Sequence, residues 1–219
     1  MITLYGVYRS RATRPLWALA EIGVDFRHVP VIQAYRLKDA RASDAPLNTA
    51  SAAFLAVSPI GQIPVMQDDD LILTESMAIS LYLARRYGDD LAPRSDAEAA
   101  LRVNWSLFGA TGIEYPALEV HFALSADTAD TPEGQANIAV NGEKLRRPFA
   151  QLQRALDGQD YLIANRFSPA DINVAECVRY AQGHTTLLAE FPAVKAWLER
   201  CQARPAFQKI WAARSAEPA

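Results

Sequence analysis

Cysteine and histidine are scarce in this sequence. Of 219 residues only Cys177 and Cys201 are cysteine, and they form no C-x-x-C pair. That excludes a disulfide framework and a cysteine-rich metal site. His28, His121 and His184 stand far apart. Scattered histidines are more often surface or satisfied core residues than ligands, so no metal is expected. No run of about twenty apolar residues occurs, so no membrane span is expected. The start, MITLYGVY, lacks the basic opening and long apolar stretch of a secretory leader. Neither sign of charge dominates: the formal net charge is −3, which argues against wholesale nucleic-acid binding and leaves room for a local basic pocket. Repeats and low-complexity tracts are missing as well. A soluble chain in a reducing, cytoplasmic compartment is expected.

What is present is apolar patterning, with 50% of residues hydrophobic. Up to residue 88 the period alternates. ITLYG reads as a strand, PLWALAEIG as a helix stopped by Gly23, and VDFRHVPV as a second strand. An irregular stretch follows over 32–53, then a short helix ending before Pro59. QIPVMQDDDLILTE reads as strand, acidic turn, strand. SMAISLYLARRYG reads as a helix with Ile79, Tyr82 and Leu83 on its apolar side. The order β-α-β-α-β-β-α predicts a small mixed sheet covered by helices. Residues 89–94 form a polar, proline-bearing joint. From 95 to 219 only helical periods remain, with bends expected at Pro116 and Pro148 and a break at Pro205. Ser168 and Asp171 have capping-box spacing, so Asp171 reads as an anchor of a core helix. The fold class is an α/β domain over 1–88 followed by an all-α bundle over 95–219.

Four passages then carry a family resemblance. They are the first strand with YRSRATRPLWALAEIG, then VSPIGQIPVM, LTESMAISLYLARRYG and SPADINVAE. In this order and spacing the chain resembles a cytosolic glutathione S-transferase of the serine type. Ser58 stands where that family usually has Asn. The resemblance implies a thioredoxin-like first domain, a helical second domain carrying an electrophile pocket, and a homodimer. It implies glutathione as co-substrate and a role in detoxification.

The resemblance assigns roles residue by residue. It implies a cis Ile63–Pro64 bond, with the Ile63 backbone pairing to the peptide like an added strand. Ser76, at a helix start, would donate to the γ-glutamyl carboxylate; Glu75 would face the ammonium and Gln62 the glycyl end. On residues alone, Ser76 also reads as an ordinary helix cap with Glu75 solvated. Ser10 follows an aromatic-Arg pair, as in several related enzymes, and would donate its hydroxyl to the sulfur. A free thiol is mostly protonated at neutral pH, so a donor near a helix start and the charges of Arg9, Arg11 and Arg14 would favour the thiolate. Tyr8 and Thr13 remain open as alternative donors. Tyr8, Trp105, Phe108 and Tyr115 are the candidates for a hydrophobic electrophile, although such aromatic stripes commonly fill cores. The function implied is conjugation of glutathione to an electrophile. Two alternatives stay open: an isomerase of the maleylacetoacetate type, whose double-serine-cysteine pattern "SRA" does not repeat, and a non-catalytic binding module.

Overall fold

A computed structural model describes residues 1–125 and 128–217. Its contacts sort into two units, Met1–Asp90 with Pro205–Ala219, and Leu91–Arg204.

In the first unit the elements run β1 (Ile2–Tyr5), α1 (Thr13–Ile22), β2 (Arg27–Val29), α2 (Ala52–Leu55), β3 (Val65–Asp68), β4 (Leu71–Leu73) and α3 (Ser76–Tyr87). The sheet order is β2-β1-β3-β4. β1 pairs parallel with β2 and antiparallel with β3, and β3 pairs antiparallel with β4. This is the mixed sheet that the alternating periods predict. Leu16, Trp17 and Leu19 of α1 are fully buried. Gly23 ends the helix in the left-handed region at φ 76°, and its N–H bonds to Leu19 O, a conformation that suits glycine. Val31, Phe54 and Val65 form a buried cluster with Tyr5, Val29, Leu47, Val57 and Ile63 packed against it.

Within the irregular 32–53 stretch lie a 3₁₀ turn at Ala34–Arg36 and an isolated bridge from Ile32 to Asn48. Tyr82 departs from the apolar side expected of α3. It is half-buried, and its hydroxyl donates to Asp68 at 2.8 Å, beside that of Tyr87 at 2.5 Å. Burial pushes the Asp68 carboxyl up, but the two phenols, the N-terminal ammonium and Arg86 more than reverse this, so it lies below its ordinary value.

The stretch 95–219, expected as one helical domain, is divided between the two units by its contacts. The last helix, α10 (Pro205–Ala216), belongs to the first unit. Its Phe207 ring stands edge-on to Trp17 of α1 at 4.8 Å and stacks on Trp211. Large aromatic surfaces bury best where a matching face is available, and α1 offers it.

The second unit is helical: α4 (Asp96–Phe108), α5 (Tyr115–Ser125), α6 (Pro132–Ala155), α7 (Pro169–Arg179), α8 (Thr185–Ala189) and α9 (Pro192–Gln202). The interruption expected near Pro116 is a π-helical segment over Gly109–Glu114, which joins α4 to α5. Proline lacks an N–H and crowds the carbonyl one turn back, and widening the turn accommodates both. By contrast, α6 runs on through the buried Pro148.

Every residue from Pro169 to Val178 of α7 is buried. The capping box at its start is formed as the spacing predicts. The Asp171 carboxylate accepts from Leu162 N, Ser168 N, Ser168 Oγ and Trp197 Nε1 at 2.9–3.0 Å. Burial pushes this carboxyl up, and the four donors oppose it. Cys177, also on α7, is buried and donates to Asn173 O.

Two predictions follow from these clusters. Asp171→Ala strands several buried donors, each costing about 1–3 kcal/mol. Destabilisation of roughly 3–5 kcal/mol is expected, read as a fall in the urea midpoint followed by Trp fluorescence. The Asp68 hydrogen bond, with burial, raises Tyr87 from 10.0 to about 12. Its contribution to stability is therefore complete below pH 10 and lost as pH rises towards 12. Urea midpoints measured across that window should fall less steeply in Tyr87→Phe than in the wild type.

Candidate active site

The site grows from the turn joining β1 to α1. Gly6 leaves the strand at φ 142°. A Cβ there would come within 3.0 Å of Ala12 Cβ, and side chains rarely adopt this φ, so the turn calls for glycine. The Ile63–Pro64 peptide bond is cis. Pro64 is buried and Ile63 half-buried. Among the described residues, no backbone hydrogen bond engages the Ile63 N–H or C=O. Gln62 is exposed, and its carbonyl accepts from Ser58 Oγ at 3.3 Å.

α1 starts at Thr13, with Ala12 in the cap position and no side-chain cap. Pro15 therefore lies in the first turn, where proline is tolerated. Thr13 is fully buried. Its hydroxyl donates back to Tyr8 O at 2.7 Å and Ser10 O at 2.9 Å. A buried hydroxyl so engaged ties the turn together and does not face a ligand, which removes Thr13 from the candidate donors. Ser10 lies in the turn, half-buried. Its hydroxyl donates to Val7 O at 2.7 Å and accepts from Ala12 N at 3.0 Å. A serine has one proton, so Ser10 must rotate away from Val7 to donate elsewhere. Tyr8 is half-buried, with its ring edge-on to His28 at 5.2 Å. Burial, and then the nearby Glu217 charge, push its phenol above the ordinary value.

The three arginines of the turn part company. Arg11 is exposed. Arg9 donates from Nε to Arg214 O at 3.2 Å. Arg14 is buried, and its Nη1 donates to Ser76 Oγ at 3.1 Å. The three arginines therefore have different surroundings.

Ser76 is itself buried and is the first residue of α3. The reading of Ser76 as helix cap is corrected: Glu75 holds the cap position in an extended conformation and makes no side-chain cap bond. Glu75 is exposed. Ser76 instead holds its backbone N–H at the open end of the helix, with a guanidinium bonded to its hydroxyl. This is an arrangement that receives a carboxylate.

The first unit thus gathers Ser10, Ile63, Pro64 and Ser76 around the start of α1. The aromatic candidates of the second unit are placed less uniformly. Trp105 is buried, and its ring is perpendicular to that of half-buried Phe108 at 5.4 Å. Tyr115 is 66% exposed. Among the described residues no cluster of three or more His, Cys, Asp or Glu could hold a metal ion, and no helix is long and apolar enough to cross a membrane.

Comparison with known proteins meets this geometry. Residues 1–85 match the family model described as glutathione S-transferase, N-terminal domain, and residues 115–205 the corresponding C-terminal domain. Glutathione S-transferase 3 of Zea mays is 32% identical over 224 residues, covering 97% of this chain and 94% of that relative. The chain belongs to the glutathione S-transferase family. Within that family its fold is similar to the crystal structure of glutathione transferase F7 from Populus trichocarpa, with TM-score 0.79 and 30% identity over 98% of this chain and 99% of the other. It is also similar to the theta class enzyme of Xanthomonas axonopodis pv. citri solved with glutathione bound, with TM-score 0.73 and 27% identity over 95% of each chain. These matches agree with the thioredoxin-like and helical architecture described above.

Two residues at the site were beyond the reach of sequence reasoning. Arg214 and Glu217 meet the Tyr8–Arg9 backbone from 206 to 209 residues away. Their only local signal is a charged end to an otherwise ordinary helical segment. The turn's internal tie is testable: Thr13→Val keeps the shape and removes the hydroxyl. It should cost about 1 kcal/mol, measured as a shift in the urea midpoint.

Proposed function

We propose that this chain is a glutathione transferase that conjugates the glutathione thiolate to a hydrophobic electrophilic small molecule. The observation that carries this reading is a pair of features in the first unit: a buried Arg14–Ser76 hydrogen bond, and an Ile63 backbone with no backbone partner among the described residues. The tripeptide needs both features. Its cysteinyl part pairs with the Ile63 N–H and C=O as an added strand. Its γ-glutamyl carboxylate meets the hydroxyl and N–H of Ser76, with Arg14 behind them, and its ammonium meets Glu75. Gln62 reaches the glycyl end.

Ser10 rotates off Val7 and donates its hydroxyl to the sulfur. The thiol proton leaves to solvent, and the thiolate sulfur bonds to the electrophilic carbon while the displaced electron pair departs with a leaving group into solvent or, in an addition, is protonated from solvent. Catalysis consists of proximity and stabilisation of charge. Serine acts as a donor throughout and forms no covalent intermediate. Trp105, Phe108, Tyr115 and Tyr8 are the candidates for contact with the electrophile, and a cytoplasmic homodimer is the form in which the protein works.

One observation favours a second reading. The Ser10 proton is committed to Val7 O, which suits a glutathione-binding module without turnover. A glutathione-affinity column and an assay with a generic electrophile separate the two. Retention with turnover supports the transferase, and retention alone supports the module. In the transferase, Ser10→Ala removes a donor aimed at developing charge, so kcat should fall about 10²–10³-fold. The ultraviolet titration of bound glutathione should show a raised thiol pKa. Tyr8→Phe should leave that titration unchanged; a shift there would move the donor role from Ser10 to Tyr8.

A further inference from the structure

The turn that carries Ser10 is held from outside by the end of the chain. The two carboxylate oxygens of Glu217 accept from Tyr8 N at 2.7 Å and Arg9 N at 2.8 Å. In return, Arg214 Nη1 donates to Tyr8 O at 2.5 Å and reaches Thr13 Oγ1 at 3.4 Å. Arg9 Nε donates to Arg214 O at 3.2 Å. Together 214–217 engage the N–H groups of residues 8 and 9, the carbonyl of residue 8 and the side chain of residue 9. A carboxylate on two backbone N–H groups makes charge-assisted bonds, roughly twice as strong as neutral ones. α10, which carries Arg214, is itself seated on α1 through the Trp17–Phe207 contact. The clamp is therefore referenced to the helix whose first turn borders the site.

At its ends the turn is tied to regular structure, Gly6 N to Val29 O of β2 and the Ser10, Arg11 and Ala12 carbonyls to N–H groups of α1. Residues 6–12 belong to no strand or helix, and the Ala12 cap makes no side-chain bond. Inner ties come from Thr13, from Ser10 itself, and from Gln33 Nε2, which donates to Arg9 O at 3.1 Å. Among the described residues, only the clamp engages the N–H groups of residues 8 and 9.

We propose that Glu217 and Arg214 are positioning residues for the sulfur site: they clamp the Tyr8–Arg9 backbone so that Ser10 is presented in one geometry. This rests on the transferase reading given above. The clamp has an electrostatic cost, because the Glu217 charge disfavours a second anion nearby. Arg9 and Arg214, which bond within the same clamp, offset that charge, and the gain in order outweighs what remains.

The test uses the full-length protein and the variants Glu217→Ala, Glu217→Asp and Arg214→Met, with circular dichroism to confirm folding. Amide exchange at Tyr8 and Arg9 reads the clamp without any substrate. Ultraviolet titration of bound glutathione and the pH profile of kcat/KM read its consequence. In Glu217→Ala, exchange at both amides should rise at least about ten-fold, the equivalent of one charge-assisted bond. The apparent thiol pKa should rise, and kcat should fall about 10–100-fold, as for a catalytic group displaced by up to 1 Å. KM for glutathione should move less than kcat, since the carboxylate contacts lie on α3. Glu217→Asp, which keeps the charge on a shorter arm, should recover part of both. Arg214→Met should shift the same pH profile in the same direction, and it decides the matter if Glu217→Ala does not fold.

Unchanged exchange or an unchanged thiol pKa in the folded variants overturns the proposal. A lowered thiol pKa with faster turnover overturns it too, and makes Glu217 an internal competitor for the anion site. Wild-type protein showing no bound thiolate at all would sink the transferase reading and the clamp's catalytic role together. A wild-type thiolate that the variants leave untouched sinks the clamp alone.

Discussion

Backbone polar groups in a turn between a buried strand and a buried helix must find partners, and the first unit is organised around that requirement. β1 delivers the chain to Gly6 in the protein interior, and α1 begins only at Thr13. The Ser10, Arg11 and Ala12 carbonyls accept from N–H groups of α1, but among the described residues the N–H groups of residues 8 and 9 and the carbonyls of residues 7–9 find no backbone partner in either element. They are met by Thr13 and Ser10 from within, by Gln33 from the 32–53 stretch, and by Arg214 and Glu217 from the last helix. A turn satisfied from so many directions has little freedom left. That is the condition for holding a single hydroxyl near a reacting atom.

The same requirement explains how charge is distributed there. Three arginines within six residues would repel one another if all stayed in the turn. They are dispersed instead: one outward, one to the terminal helix, and one inward beneath Ser76. The inward guanidinium costs desolvation. Its place behind the open end of α3 gives that cost a use, since a helix start and a buried cation both favour a carboxylate. The second unit meets its main polar burial differently. Asp171 lies among donors from its own cap, from Leu162 and from Trp197. There a buried charge serves only to hold a core helix in place.

Much of this was open to a reader of the sequence, and the physical reason is locality. Alternating periods, the Gly23 stop and the Ser168–Asp171 spacing all act within a turn or two of chain, so β1, α1, α3 and the cap of α7 are where pattern places them. Ser10, Ile63, Pro64, Glu75 and Ser76 could be picked out as candidates because motif order survives in one dimension. Pattern put Tyr82 on the apolar side of its helix, but it could not show that the hydroxyl has a partner on another element. Ser76 was misread as a cap because cap and first helical residue differ by one position and a single dihedral angle.

The sequence alone determined the two kinds of architecture, the family, and which residues are chemically able to meet a carboxylate and a sulfur, because those depend on side-chain type and short spacing. Tertiary structure decided that the final helix serves the first unit, that Arg14 lies beneath Ser76, and that Glu217 grips the turn before α1. Those pairings join residues 62 to 209 positions apart. No local pattern records them, because they are set by which surfaces are left to bury once the sheet and its helices have formed.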